Sequence, residues 1–503
     1  MKRLSQSILI ALVLCILFGF YGWTALGSPS DLSYNQLTEA FLDGSLSMKE
    51  LPKPELLALE DPYDPTTNVT LRRHDWALYD GKYYLAWSPL PALILFLPAS
   101  ILGVPMDAAI AGILLGSILL ILLFALLQQL IPRSHTPPIL RSSLLILILG
   151  FGSYTPILLR QPRSYEVAIL LGSVFTVLSL LLLSRSLTAS RLNSLLVSLA
   201  VLASMLAFWA RPALLFLPLL VVGFVMFNNR NNWKSIICTA GIPIASVATP
   251  IATYNYLRFG SMFEFGSSYQ LSGIRRTSFS ISWFIPKLQS DLLAHRFFGF
   301  FPWTTTGESP FREKMFPSYY IEQNLGLLVA MPWAVVISII AWQKRKLLIQ
   351  KLGDRFQIIT IALFSATGAW IVQLVASPGT TSRYQGDTAP LLTLTLLVLI
   401  GTIDEFTLKI DFNFKLMVTV LLVILVYRQQ LWGDLYFDLV FFLAVGLLIL
   451  LIALRPLYIE LDGTLLVLSA TLWTVTLIGL TSLTVQGVDS FELLPENFQW
   501  WET

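Results

Sequence analysis

His74–Ala92 reads HDWALYDGKYYLAWSPLPA, a polar and aromatic island in an otherwise oily chain. Asp80-Gly81 stands between two runs that alternate aromatic with small residues. This is a strong hairpin signal, because a two-residue turn needs positive φ at both central positions, which Asp and Gly tolerate. The island lies in a long hydrophilic segment between the first apolar run and those that follow, which puts it just outside a bilayer, against the ends of helices. Rings, two carboxylates (Asp75 and Asp80) and Lys82 crowded at a membrane surface point to a site for a sugar or a lipid headgroup.

The rest of the chain reads as the scaffold of this island. Of 503 residues, 55% are hydrophobic and 13% charged, and the mean hydropathy is +0.71, whereas soluble domains carry roughly 25% charged residues. These values define an all-α integral membrane protein. The formal net charge of +3 is small for this length, and the basic residues are scattered through loops, so no nucleic-acid partner is implied. Cys15 and Cys238 fall within apolar helices and read as buried thiols acting as small hydrophobes. Two cysteines make no disulfide framework.

Ile8–Leu26 is long enough, at about 20 residues, to cross the hydrocarbon. A signal peptide would carry a shorter apolar region of about 7 to 15 residues, although Ala25–Ser28 has the small residues of a cleavage site. A retained anchor is preferred, with Lys2 and Arg3 holding the N-terminus in the cytoplasm and the next loop outside. Within that loop Ser33–Gly44 reads as an amphipathic helix with Tyr34, Leu37 and Phe41 on one face, and Ser33 with Gln36 fits a capping box. Proline-rich text follows from Pro52 to Pro65. Leu90–Leu102 is apolar but short, an interfacial or re-entrant piece.

Further spans are expected at 107–130, 142–158, 166–184, 194–210, 212–227, 235–256, 323–342, 356–376, 388–402, 414–431, 435–454 and 464–485. With the first helix this makes about thirteen (a range of about 11 to 13), each near the required length. Threading them in alternation puts Arg133, Arg141, Arg185, Arg191, Arg230, Lys234, the stretch Lys344–Arg355, Lys409, Lys415 and Arg455 on the cytoplasmic side, as the positive-inside rule requires. Two large outer loops result, 27–106 and 257–322, each carrying short amphipathic helices. A catalytic membrane region would then span 1–400, and 401–503 would hold C-terminal helices and a short outer tail. No inverted repeat of the transporter kind is visible.

Charged residues at the outer helix ends are the candidates for chemistry. The second loop opens Arg258-Phe-Gly-Ser-Met-Phe-Glu264 and continues through Arg275-Arg276 and His295-Arg296. Arginine suits an anionic headgroup because its planar fork donates two hydrogen bonds at once. The plainer alternative is an arginine snorkelling beside aromatic belt residues. Arg383, in the polar turn Ser377–Asp387, needs a partner, which is either a phosphate or Asp387 four residues on. Arg160, Arg163 and Glu166 share another outer turn and either serve function or pair with one another. Arg211-Pro212 marks a third outer bend. Asp31 has a local role as an acid before a helix start, and Asp80 as a turn residue, whereas Asp75 has none.

Five segments together resemble the polytopic GT-C glycosyltransferases: Asp31 and Tyr34 ahead of TEAFLDGSL, the stretch HDWALYDGKYYLAWSPLPALILFLPASILG, ARPALLFLP at 210–218, RFGSMFEFG at 258–266 and SRYQGDTAP at 382–390. The nearest group looks like the bacterial relatives of protein O-mannosyltransferases and lipid A aminoarabinose transferases. The resemblance covers the chain to about residue 400. It implies a GT-C-like fold in the bacterial inner (plasma) membrane and an enzyme that moves a hexosyl or pentosyl unit from a polyprenyl-phosphate-linked sugar to a lipid, glycan or protein acceptor at the outer, periplasmic leaflet.

In the family an acidic residue in the first outer loop is the catalytic base, often within an Asp-Glu pair. Ser30-Asp31 matches that pair here, so one acid is missing and Asp31 inherits the role, with Asp75, which has no local structural role, as the alternative. The resemblance assigns a second acid to the turn where Glu166 falls. It further assigns donor or phosphate binding to Arg211, at a bend where the family has Lys-Gly-Pro, and to Arg383 with Tyr384. Arg258 and Lys82 are candidates from their charge and place. No His or Cys cluster has metal-ligand spacing, so no metal ligands are assigned and no cofactor is certain. Carboxylate and phosphate leave room for a weakly held Mg²⁺ or Mn²⁺. The competing class is a transporter or flippase of lipid-linked saccharides, which would carry its charges near the bilayer midplane on broken helices.

Overall fold

The computed structural model describes residues 2–26, 31–73, 76–132, 139–187, 193–228, 232–271, 284–293, 296–297, 304–305, 320–321, 325–376, 379–403, 406–410, 457–461 and 463–483. Asp75, Arg275, Arg276, His295 and the expected spans at 414–431 and 435–454 lie outside the described residues.

Helix α1 (Lys2–Leu26) shows why this is a membrane protein. Val13, Leu17, Tyr21 and Ala25 recur every fourth residue and are buried, while Ile8, Leu12, Ile16 and Trp23 on the other faces are 55–60% exposed. A helix that is apolar on its exposed side as well as its packed side faces lipid rather than water. Cys15 and Cys238 belong to such outward faces, so both thiols are exposed instead of buried.

The bundle continues with α2 (Ser33–Leu42), the hairpin β1 (Trp76–Tyr79) and β2 (Lys82–Leu85), α3 (Ala108–Leu130), α4 (Ile139–Gly152), α5 (Thr155–Leu159), α6 (Ser164–Leu187), α7 (Ser194–Ala210), α8 (Phe216–Asn228), α9 (Ile242–Phe259), α10 (Phe284–Leu293), α11 (Trp333–Gln343), α12 (Arg345–Leu352), α13 (Arg355–Ala376) and α14 (Ala389–Thr402). Strand β3 (Phe406–Ile410) then pairs antiparallel with β4 (Leu457–Leu461), ahead of α15 (Gly463–Leu483). Nothing in the hydropathy pattern announced β3 and β4, which qualify the all-α expectation in a mostly helical chain.

Among the described residues, five segments are long and apolar enough to cross a membrane: Ile8–Leu26, Ala108–Leu130, Ser164–Leu187, Trp233–Phe259 and Arg355–Val375. The other expected spans that fall among the described residues are apolar helices as well, several of them shorter than 18 residues. Local breakers account for this. The run 142–158 is split between α4 and α5 by Tyr154, whose φ of +61° is left-handed. The run 323–342 is interrupted at Met331-Pro332, where the chain leaves and re-enters helix.

The hairpin forms in the expected register, with Trp76 opposite Leu85 and Tyr79 opposite Lys82. Asp80 at φ +48° and Gly81 at φ +67° supply the turn. The capping box at Ser33 and Gln36 does not form. Leu32 is the helix cap and offers no side-chain bond; the N–H of Ser33 donates instead to Asp31 Oδ1 at 2.8 Å.

Candidate functional site

Helix α6 organises the site. Its first turn is capped from within: the Glu166 carboxylate reaches back so that the N–H of Arg163 donates to Oε2 at 3.1 Å, the reciprocal half of a capping box. The N–H of Ser164 donates at 2.8 Å to Asp31 Oδ2. Asp31 therefore holds the first residue of α2 with one oxygen and the first residue of α6 with the other. Both helix N-termini carry partial positive charge, which a carboxylate there offsets.

Further along α6, Gly172 permits close approach. A Cβ at this position would lie 2.9 Å from Leu214 Cδ1 and 3.1 Å from Arg211 Cβ. The same helix meets the turn at Ser382–Gln385 and the residues after it, where Ser173 Oγ donates to the carbonyl of Gly386 at 3.3 Å. Glu166, Gly172 and Ser173 thus bring Arg383 and Arg211 to one end of the bundle.

Two ion pairs form there. Arg383 Nη1 lies 3.6 Å from Glu166 Oε1, with its guanidinium over the Tyr165 ring at 4.5 Å. Trp87, from the segment after the hairpin, packs edge-on against Tyr165 with ring centroids 5.0 Å apart. Arg211 Nε donates to Asp387 Oδ2 at 2.9 Å, and its guanidinium lies 5.5 Å from the centre of the Tyr384 ring. Asp387 is thus the partner of Arg211, 176 residues away in the chain, and not of its neighbour Arg383.

Burial pushes the Asp387 carboxyl above its usual range, with Arg211 and Gln373 opposing the rise. Burial also works against the charge of Arg211, but the facing Asp387 and Tyr384 outweigh it, and Arg383 repels. The two guanidinium groups are therefore near enough to feel each other.

A buried polar chain extends from this pair into α10, which sequence reading missed. Gln373 Nε2 donates to Asp387 Oδ2 at 2.5 Å, and Lys287 Nζ donates to the carbonyl of Gln373. Trp370 Nε1 donates to Asp291 Oδ2 at 2.9 Å, and Gln385 Nε2 to the carbonyl of Asp291 at 3.1 Å. Burial lowers the Lys287 ammonium to about 8, with Asp291 opposing. The only hint in the sequence was the four-residue spacing of Lys287 and Asp291 on an amphipathic helix.

The remaining candidates stand apart from the two pairs. Arg258 is buried, lies over the rings of Tyr254 at 3.9 Å and Phe259 at 4.5 Å, and donates to the Leu85 carbonyl and Asn255 Oδ1, both at 3.0 Å. It ties the hairpin to the end of α9, and its Nε is buried without a hydrogen-bond partner. Lys82 is exposed on the hairpin beside its turn. Among the described residues, no group of three or more His, Cys, Asp and Glu side chains could hold a metal ion. Glu166 and Asp387 each face an arginine.

No protein-family model matches the chain, and no curated protein matches it. Among solved structures it is similar to the crystal structure of ArnT from Cupriavidus metallidurans bound to undecaprenyl phosphate, at 10% identity and a TM-score of 0.48, over 96% of this chain and 77% of that one. A likeness of that size does not define a family.

Proposed function

We propose that this protein is a membrane glycosyltransferase that takes a sugar from a polyprenyl-phosphate donor and passes it to a lipid, glycan or protein acceptor at the outer, periplasmic leaflet. The observation that carries the reading is the convergence of Arg211 and Arg383 at one end of the helix bundle, Arg211 facing Asp387 and Arg383 facing Glu166. Two repelling guanidinium groups at a membrane edge are relieved by an anion between them, and a phosphate accepts forked hydrogen bonds from arginine. A lipid phosphate delivers that anion while its tail stays in the bilayer. All residues invoked lie before residue 400, within the region of the GT-C resemblance.

Asp31 is the base in this scheme. Its oxygens each accept one backbone N–H, which fixes the carboxylate while leaving a second lone pair on each oxygen. The acceptor hydroxyl attacks the anomeric carbon, its proton passes to Asp31, and the bond to the phosphate oxygen breaks. General-base help of this kind contributes about 10²- to 10⁴-fold. Arg211 and Arg383 stabilise the negative charge on the departing polyprenyl phosphate. Glu166 becomes a positioning residue for Arg383, since its other oxygen is committed to the cap of α6. Asp75 remains the alternative base.

A transporter would keep its ion pairs midway along the helices. Here Glu166 belongs to the first turn of α6 and Arg211 follows the last residue of α7, which favours the enzyme. The test is transfer of labelled sugar from polyprenyl-phosphate sugars, beside mass spectrometry of surface glycolipids and glycans from cells with and without the gene. A sugar lost with the gene names the product; an unchanged profile and no transfer count against the reading.

A further inference from the structure

Helix α12 carries a basic patch that the transfer reaction leaves unused. Lys344–Arg355 holds five bases, Lys344, Arg345, Lys346, Lys351 and Arg355, against one acid, Asp354. The elements on either side set its place in the fold. Helix α11 is apolar and ends at Gln343, and α13 begins at Arg355, the head of a segment long and apolar enough to cross a membrane. Only Gly353, at φ +53°, and Asp354 separate α12 from that segment. The end of a span lies at the bilayer surface, so α12 lies there too. Leu348 and Leu352 are buried in the main core, and the helix meets α11, α13 and α14. Gln373, which bonds Asp387, belongs to the far end of α13. The patch and the two site arginines therefore sit at opposite ends of one span.

The open side of α12 is chemically mixed. Arg345 and Lys346 are exposed beside the equally exposed Leu347 and Ile349. Trp342 is 70% exposed; the Arg345 guanidinium lies 4.8 Å from its ring centre, and Arg345 Nη1 donates to its carbonyl at 3.0 Å. A face built for water gains nothing from three bare apolar side chains, and a face built for acyl chains excludes arginine and lysine. The headgroup zone takes both, since tryptophan settles at the boundary, aliphatic side chains reach the acyl region and bases meet lipid phosphates. We propose that α12 is an interfacial helix that binds anionic phospholipid headgroups of the leaflet at its end of the bundle. Bases clustered directly beside a span draw anionic lipid, and each one near the surface strengthens the attraction. A nucleic acid or an acidic protein would first have to displace the lipid that already lies at this level. None of Asp31, Glu166, Arg211 and Arg383 takes part, so the patch and the proposed transfer reaction can fail independently.

The test is a titration of purified full-length protein in neutral detergent with dioleoylphosphatidylglycerol and dioleoylphosphatidylcholine, read by native mass spectrometry beside the melting temperature. Four proteins are compared: wild type, the neutral variant Arg345→Gln/Lys346→Gln, the charge-keeping variant Arg345→Lys/Lys346→Arg, and Arg383→Ala. Wild type and Arg383→Ala should bind phosphatidylglycerol more tightly than phosphatidylcholine, and added salt should shrink the preference. The neutral variant should melt as wild type does without lipid and bind phosphatidylglycerol about 10- to 30-fold more weakly, while the charge-keeping variant should bind as wild type does. Unchanged phosphatidylglycerol affinity in the neutral variant overturns the proposal. So does a wild type with no preference for the anionic lipid, which leaves an acidic macromolecule as the partner. A neutral variant that melts lower and loses both lipids alike overturns it as a structural role, and loss of the preference in Arg383→Ala overturns it by moving the anionic lipid to the other end of the bundle.

Discussion

Replacing Asp31 by Asn separates its two roles. The carboxylate accepts the N–H of Ser33 and that of Ser164, each at 2.8 Å. An asparagine keeps one acceptor oxygen and turns an amide nitrogen toward the other N–H, so one charge-assisted bond, worth about 1.5 to 3 kcal/mol, is lost. The negative charge beside two helix N-termini goes as well, at about 0.3 to 1 kcal/mol each. Together the substitution should cost about 2 to 5 kcal/mol of stability, more than a simple helix-start acid would. If Asp31 is also the base, turnover per folded molecule should fall by about 10²- to 10⁴-fold with donor affinity nearly unchanged. The assay is sugar transfer well below the unfolding midpoint, run beside thermal unfolding in detergent. Turnover per folded molecule within about threefold of wild type would refute the catalytic role and pass it to Asp75. A stability loss below about 0.5 kcal/mol would refute the two-helix clamp.

Other outcomes follow from single contacts. Lys287 titrates near 8 in the folded protein against 10.5 when exposed; the unfolded chain therefore holds the extra proton between these values, and stability should rise with pH across that window. The gain is up to about 3 kcal/mol and should be absent in Lys287→Met, as read from unfolding of both proteins at pH 7.5 and 10.5. Gly172→Ala should drive its methyl against Arg211 Cβ and Leu214, costing about 1 to 3 kcal/mol and weakening donor binding; wild-type melting and affinity would show that Arg211 does not depend on this approach. Gln350→Cys, on exposed α12, should react with an impermeant thiol reagent only after the membrane is opened, once Cys15 and Cys238 are replaced. Labelling in intact cells would invert the assigned topology.

The membrane class was legible because hydropathy is a local property, and the hairpin was legible because Asp80-Gly81 carries its own turn chemistry. Glu166, Arg211 and Arg383 could be picked out as charges at the ends of apolar runs. Their pairing could not be read, since Arg211 meets Asp387 across 176 residues through packing around Gly172, which leaves no periodic trace. Asp31 showed its local half, an acid placed before a helix start, and hid its bond to Ser164, 133 residues on. Arg258 could be picked out by its charge, but its bond to the Leu85 carbonyl, 173 residues back in the chain, could not. Expected spans were drawn too long where one left-handed residue, Tyr154, or one proline, Pro332, divides a run that a hydropathy window joins.

The central claim is that Arg211 and Arg383 receive a lipid-borne phosphate, and binding of undecaprenyl phosphate to the purified protein tests it most directly. Wild type should bind saturably, Arg383→Ala should bind about 10- to 100-fold more weakly, and Arg383→Lys should fall between, because a point charge cannot make the forked contact. Equal affinity in wild type and Arg383→Ala, or no saturable binding by wild type, would contradict the claim.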